Sequence, residues 1–199
     1  MAKSSVVPIG VFDGVHRGHQ LVLQHATEAA RERDARVVVV TFDPHPTAIL
    51  APGHVPPMLT TLERRLDLLR EHGADDVLVL EFTRDLARQT ADAFIDPVLI
   101  GQLSAVQIVV GHNFRFGHRA SGDVALLRKH DLAVDDVPLL TDSGTVSSTM
   151  VRDFVVHGDV VAAASALGRL HFVEGPVVRG DARGRALGFP TANVAVDDA

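Results

Sequence analysis

Two histidines three residues apart, His16 and His19, sit in the stretch GVFDGVHRGHQ (Gly10–Gln20), among glycines and beside Asp13. On a first helical turn that spacing puts both imidazoles on one face. A metal, a nucleophilic triad and a phosphate cradle could each use them. Zinc could recruit His45 as a third ligand, but HExxH is absent, no acidic residue falls at a fitting spacing, and the chain has no cysteine. A serine hydrolase would want a GxSxG elbow, and none is present. The GxxxxGK[ST] loop is missing as well. A cradle needs less: a helix N-terminus with free N–H groups and partial positive charge, and glycines such as Gly14 and Gly18 that let an anion approach the backbone. Beside a polyanion an imidazole pKa should rise, so either histidine could donate to a developing negative oxygen. A purely structural pair is the plain alternative in a chain with 11 histidines.

Other stretches carry polar chemistry. In SSTMVR (Ser147–Arg152), Thr149 and Arg152 share one side of a helix start. Ser147, Ser148 and Thr149 could offer hydroxyls and N–H groups to phosphates, with Arg152 as a bidentate fork. The plain alternative is an N-cap followed by a surface arginine. Asn113, in GHNFRFG, can serve a ribose, a phosphate or a metal-bound water, or fill a left-handed turn position. Phe114 and Phe116 alternate, so one is expected to pack inward while the other meets an aromatic ring. Phe42 ends a strand, where core packing is the ordinary role. His45, in DPHP, is a weaker ligand-facing candidate, and Asp13 could cap its loop or orient a histidine.

These residues need elements to position them. Val6–Val11 and Ala35–Phe42 are apolar runs of buried-strand character. Helical spacing runs from Gly18 to Arg33, through Val22, Ala26, Ala29 and Ala30. Asp43–Pro57 is rich in proline and predicts a loop. Thr60 and Glu63 fit a capping box for a helix ending near Gly73. Further strands are predicted over Asp76–Phe82, Ala105–Gly111 and Leu132–Leu140. Further helices are predicted over Ala91–Gln102 (interrupted or kinked at Pro97), Asp123–His130 and Ser147–Gly158, and from Asp159, as cap, to Gly168. This alternation predicts an α/β fold, a Rossmann-like parallel sheet with helices on both faces. Ligands of such sheets bind beyond the carboxyl ends of the strands, and the unusual residues fall there. After Gly168 the texture turns glycine-rich with short apolar pairs, the start of an incomplete β-barrel segment. Two domains are expected, 1–167 and 168–199.

Bulk composition narrows the class. Of 199 residues, 46% are hydrophobic and 22% charged, which fits a globular core. A net charge of −6 disfavours a general nucleic-acid binder. The opening MAKSSVVPIGVF lacks a signal peptide's apolar run, and no segment reaches transmembrane length. A cytoplasmic protein without a membrane partner is expected. Nothing in the pattern fixes an oligomeric state.

GVFDGVHRGH resembles the GxFDGxHxGH signature of the HxGH nucleotidyltransferase superfamily. More narrowly, it is similar to the N-terminal FMN adenylyltransferase module of bacterial bifunctional riboflavin kinase/FAD synthetases. VVTFDPHP (Val39–Pro46), VVGHNFRFGHRASG (Val109–Gly122) and SSTMVR agree with that family's motifs in order. The resemblance implies FMN + ATP → FAD + pyrophosphate, with magnesium carried on the ATP. It implies catalytic roles for His16, His19 and Arg152, and ATP contacts from Gly10, Phe12, Asp13, Gly18, Asn113, Ser147, Ser148 and Thr149. Phe42, His45, Phe114 and Phe116 would lie near the flavin. GRALGFPTAN (Gly184–Asn193) resembles the opening of the riboflavin kinase module, where Thr191 and Asn193 would hold a metal–nucleotide. The sequence departs from the family in stopping at Ala199, without the downstream glutamate, and in its short N-terminus. Kinase activity is therefore not expected. The alternatives are the same chemistry on another phosphate acceptor, or a flavin- or nucleotide-binding remnant without catalysis.

Overall fold

Alternation along the apolar runs decides which face each side chain takes. In a strand, successive residues point to opposite sides, so a strand buried on both faces must be apolar throughout. The computed structural model describes residues 3–141, 144–181 and 183–195. Its central strands, β1 (Ser5–Pro8) and Val37–Thr41 of the second strand, are wholly buried and depart from the rule only at Ser5 and Thr41, whose hydroxyls donate to Leu103 O and Val11 O.

The chain order is β1, α1 (Arg17–Glu32), β2 (Arg36–Asp43), α2 (Pro46–Leu50), α3 (Leu62–Glu71), β3 (Asp76–Glu81), α4 (Arg84–Arg88), α5 (Ala91–Phe94), β4 (Ala105–Gly111), α6 (Val124–Lys129), β5 (Ala133–Val137), α7 (Ser148–Val156) and α8 (Val160–Leu167). All five strands are parallel, in the order β3-β2-β1-β4-β5. Successive connections leave β1 to one side and later to the other. The crevice outside the β1 and β4 carboxyl ends is thus the topological switch point where such sheets bind ligands. On one face Val6, Val37, Val39 and Val109 pack against Leu23, Ala26, Leu68 and Leu69 of α1 and α3. On the other, Val7, Val40, Ile108 and Val110 pack against Phe94, Ile95, Leu99 and Leu127. Burying each such large side chain is worth roughly 1.5–3 kcal/mol. A third cluster, around Leu59, Val146, Val151 and Leu167, fastens α7 and α8 beside the crevice.

The Rossmann-like expectation holds, with local corrections. The Asp43–Pro57 segment is not all loop: Pro46 sits at the start of α2, where its missing N–H costs nothing, and the His45 ring accepts from Thr47 N at 3.1 Å. Thr61, not Thr60, caps α3. The helix from Ala91 is interrupted three residues before Pro97: α5 ends at Phe94 and Ile95–Gln102 continues as a π-helix, with Leu103 N bonded to Val98 O. The first strand ends at Pro8 and the fifth at Val137, both short of prediction. The tail holds one small antiparallel pair, β6 (Val177–Val178) with β7 (Asn193–Val194), in keeping with part of a barrel. Among the described residues no helix is long and apolar enough to cross a membrane.

Candidate active site

Beyond β1 the chain makes a tight left-handed turn before α1 begins. Phe12, Gly14 and Val15 have φ of 57°, 76° and 38°. For phenylalanine and valine that conformation is strained, and it persists only where neighbours over-determine it. The turn is held on every side. Gly14 N donates to Thr60 Oγ1 at 3.3 Å, Gln20 Nε2 donates to Val15 O at 2.9 Å, and Arg169 Nη2 donates to Gly14 O at 2.8 Å. A side chain at Gly14 would also crowd its neighbour, since a Cβ there would lie 2.8 Å from Leu59 Cδ1 and force that side chain to shift.

The turn delivers His16 as the N-cap of α1, its Nδ1 accepting from His19 N at 3.4 Å. The His19 ring lies nearly flat on that of His16, centroids 3.7 Å apart and planes 19° from parallel, and meets the Phe12 ring edge-on at 5.1 Å. Burial, then the charges of Arg152 and Arg169, push the His16 pKa down to about 4. Burial, then His16, holds His19 well below its ordinary 6.5. The rise expected from the sequence belongs to a bound polyanion; in the free protein the shift has the opposite sign and both rings are neutral at pH 7. Nδ1 of His19 is buried without a hydrogen-bond partner among the described residues.

The start of α7 abuts the same turn. Ser147 caps it, accepting from Met150 N at 3.2 Å, and Ser148 Oγ donates to Asp13 O at 2.9 Å. Ser148 thus spends its hydroxyl inside the protein, whereas Ser147 keeps its O–H and Thr149 is exposed. A Cβ on Gly18 would lie 3.1 Å from the His16 ring and 3.4 Å from Val146 O, so the N-termini of α1 and α7 lie side by side. Asp13, 1% exposed, accepts from Leu59 N at 3.0 Å and binds Arg152 Nη2 at 2.5 Å. Arg152 Nε donates to Pro57 O at 2.7 Å. Of the two roles open to Asp13, the structure selects the cap: its hydrogen bonds among the described residues go to the Leu59–Thr60 loop and Arg152, not to a histidine. Nor is Arg152 a plain surface arginine, since its side chain is 13% exposed. His45 feels Arg152 and Asp13, and burial lowers its pKa.

The segment leading into the turn, Ile9–Val11, also lines a cavity of about 760 Å³, together with Phe42, Phe82, Phe94 and Asn113, among others, and both Phe114 and Phe116. The two last rings stack on each other, 5.4 Å and 17° apart, with Phe94 at 6.1 Å from Phe116. They do not divide between core and ligand as the alternation suggested, because no continuous strand carries them: Phe114 closes a turn, its N bonded to Gly111 O, and Phe116 pairs with Gly122 in an isolated bridge. Asn113 is exposed at the cavity's edge. His45 is not among its lining residues. Thr191 and Asn193 are exposed in the tail, Asn193 pairing with Val178. Among the described residues no group of three or more His, Cys, Asp or Glu could hold a metal.

Sequence reasoning missed Arg65, 1% exposed, which donates to Val11 O at 3.1 Å and Phe42 O at 3.2 Å and so ties together the carboxyl ends of β1 and β2. Its signal was present: Arg65 shares an α3 face with Leu68 and Leu69, where a charge is out of place unless it has partners.

Residues 1–150 match the family model described as FAD synthetase, and residues 167–199 match that of riboflavin kinase. The bifunctional riboflavin kinase/FMN adenylyltransferase of Escherichia coli K12 is 40% identical over 197 residues, covering 96% of this chain and 63% of the relative. Its namesake from Listeria monocytogenes is 32% identical over 200 residues, covering 98% and 63%. This chain thus spans under two thirds of the length of those relatives. A crystal structure described as a macrolide-efflux protein from Streptococcus pneumoniae superposes with a TM-score of 0.89 at 33% identity, over 100% of this chain and 66% of that one.

Proposed function

Because this chain belongs to the FAD synthetase family, we propose that it transfers the adenylyl group of ATP to FMN, giving FAD and pyrophosphate. One observation carries the reading: Gly10 and Val11 line an aromatic cavity of about 760 Å³, and the same segment runs on into the stacked His16–His19 pair at the start of a 16-residue helix. A phosphate pole beside a flat apolar slot is what an acceptor with a phosphate tail and a tricyclic head requires. A small alcohol phosphate would leave the slot unfilled.

In the reaction an FMN phosphate oxygen attacks the α-phosphorus, the bond from that phosphorus to the bridging oxygen breaks, and pyrophosphate departs. No covalent enzyme intermediate is needed, so the protein contributes alignment and charge stabilisation. Neutral in the free protein, His16 and His19 gain basicity as the polyanion arrives and stabilise charge that develops in the transition state. Gly10, Phe12 and Gly18 let the nucleotide approach the turn, with Asn113 on its edge. Asp13 and Ser148 hold the frame from beneath. Ser147 and Thr149 receive the departing pyrophosphate at the α7 N-terminus. Arg152 joins them through Nη1, since Nε and Nη2 are engaged. Phe42, Phe114 and Phe116 hold the flavin, and His45 flanks the phosphate pole. Magnesium enters with ATP as part of the substrate, held through phosphate oxygens and water.

The two modules divide at Gly168, where α8 ends in a left-handed residue. Thr191 and Asn193 belong to the second, whose described residues include the antiparallel pair β6–β7. Incubating the protein with MgATP and FMN, and separately with riboflavin, and separating the products by chromatography tests the reading. FAD from FMN is expected. Flavin bound tightly with no pyrophosphate released would overturn it.

A further inference from the structure

The connection that follows α8 reaches back into the turn before α1. Gly168 ends α8 at φ 71°, packed so closely on the first turn of α1 that a Cβ would meet Gln20 Oε1 at 3.2 Å and Arg17 Cγ at 3.4 Å. Arg169, the next residue, then extends its guanidinium beneath the strained turn. Nη2 donates to Gly14 O at 2.8 Å, and Nη1 lies 3.5 Å from both Val15 O and Leu167 O. Gln20 repeats the clasp from α1, its Nε2 bridging Val15 O and Leu167 O at 2.9 and 2.8 Å. The carbonyls so held belong to Gly14 and Val15, both at positive φ. A buried carbonyl needs a donor: Gly14 O finds its own in Arg169, 155 residues later in the chain, while Val15 O takes Gln20 Nε2 at 2.9 Å with Arg169 Nη1 at 3.5 Å.

We propose that Arg169 is a positioning residue for adenylyl transfer: from the connection between the modules it holds the Gly14–Val15 carbonyls and so fixes the turn that aims His16. This rests on the adenylyltransferase reading, and it makes the nucleotide pole dependent on a residue outside the span matched to the FAD synthetase family, 1–150. The connection is anchored at its far side too. Phe172 lies under the Arg64 guanidinium at 4.8 Å and that of Arg169 at 5.9 Å, so α3, the connection and the turn form one packed unit. A pull on the following module would therefore reach His16 through two bonds of one side chain. The positive charge of Arg169 is also one of the influences that keep the His16 ring neutral in the free protein.

The test compares the parent with Arg169→Ala and Arg169→Lys. The Ala variant should lose roughly 10- to 100-fold in kcat, as small misplacements of reacting groups do, while KM for ATP changes less than about threefold. Its kcat–pH profile should also shift. Lysine keeps the charge but offers a point donor instead of a fork, so it should restore the pH profile and only part of kcat. A second arm needs no activity: in the substrate-free protein, amide exchange of Val15, which bonds across the strained turn to Phe12 O, and of His19 and Gln20 in the first turn of α1 should speed up in Arg169→Ala, while that of β1 and β4 stays as in the parent. Unchanged exchange at those three residues would overturn the proposal even if the parent made no FAD. So would a kcat and pH profile equal to the parent's, or a lysine variant no better than alanine.

Discussion

Asp13 and Arg152 meet across 139 residues of sequence, Oδ2 to Nη2 at 2.5 Å, and the pair joins the turn before α1 to the first turn of α7. The carboxylate is almost fully enclosed and the guanidinium is 13% exposed. The same carboxylate accepts Leu59 N, and the same guanidinium holds Pro57 O. One ion pair therefore sets the spacing of two helix N-termini.

Removing one partner of a buried pair strands the other. Asp13→Ala should destabilise the fold by about 3–5 kcal/mol, read as a drop in the urea midpoint. Asp13→Asn keeps an acceptor for Leu59 N and should cost less. The double variant Asp13→Ala/Arg152→Ala should lose less than the sum of the singles. Strict additivity would mean that the pair is not coupled.

The histidine shifts fix the sign of a pH dependence. His16 is neutral in the folded chain down to about pH 4, whereas in the unfolded chain it takes up a proton near 6.5. Between those values the unfolded state binds more protons, so stability rises with pH. The stabilisation is full above 6.5, falls as pH drops, and is lost below about 4. For His16 the loss reaches on the order of 3 kcal/mol by about pH 4. His19 contributes in the same direction. Urea unfolding of the parent and of His16→Gln at about pH 7 and about pH 4.5 should give a steeper acid loss in the parent; equal losses would contradict the assignment.

Gly18 should separate activity from stability. Alanine favours a helix over glycine by roughly 0.5–1 kcal/mol, so Gly18→Ala should melt near the parent's temperature or above it. Its Cβ, however, would sit 3.1 Å from the His16 ring and force that ring aside. FAD formation should fall about tenfold or more. A fully active Gly18→Ala would show that the ring need not hold its present place.

If His19 acts on the transition state, its loss should appear in kcat more than in ATP affinity. His19→Ala should lower kcat by about 10²–10³-fold, with a Kd for ATP within a few-fold of the parent's. Turnover equal to the parent's would remove His19 from the mechanism.

At the other pole, Phe114→Ala removes one of two stacked rings that line the cavity. Aromatic pairs are worth about 0.5–1.5 kcal/mol, so FMN affinity should fall roughly 2- to 10-fold while ATP affinity holds. Flavin fluorescence titration reads the first and nucleotide binding the second. Equal losses for both ligands would place the flavin elsewhere.

Short-range pattern was enough for the five strands and the longer helices, but not for the short helices α2 and α4 or the π-helical turn after α5. Strand runs such as Val37–Val40 must be buried on both faces, and the α1 stripe through Val22, Ala26 and Ala30 must face a sheet, so the parallel α/β order followed from periodicity alone. The aromatic residues of GHNFRFG and the two histidines were visible for the same reason: their spacing is local. What lies between elements waited for the packed chain. Histidine is an unusual N-cap, so neither His16 nor His45 announced that role, and a capping threonine was misplaced by one residue because two adjacent threonines are equivalent until Thr60 is claimed by the Gly14 turn. The partners of Asp13, Arg65 and Arg169 lie 46–139, 23–54 and up to 155 residues away in the chain, and no period or propensity spans such distances. A local pattern records which face a side chain takes; which buried carbonyl or carboxylate it meets there depends on how the layers pack, and that alone set the charge and the aim of His16.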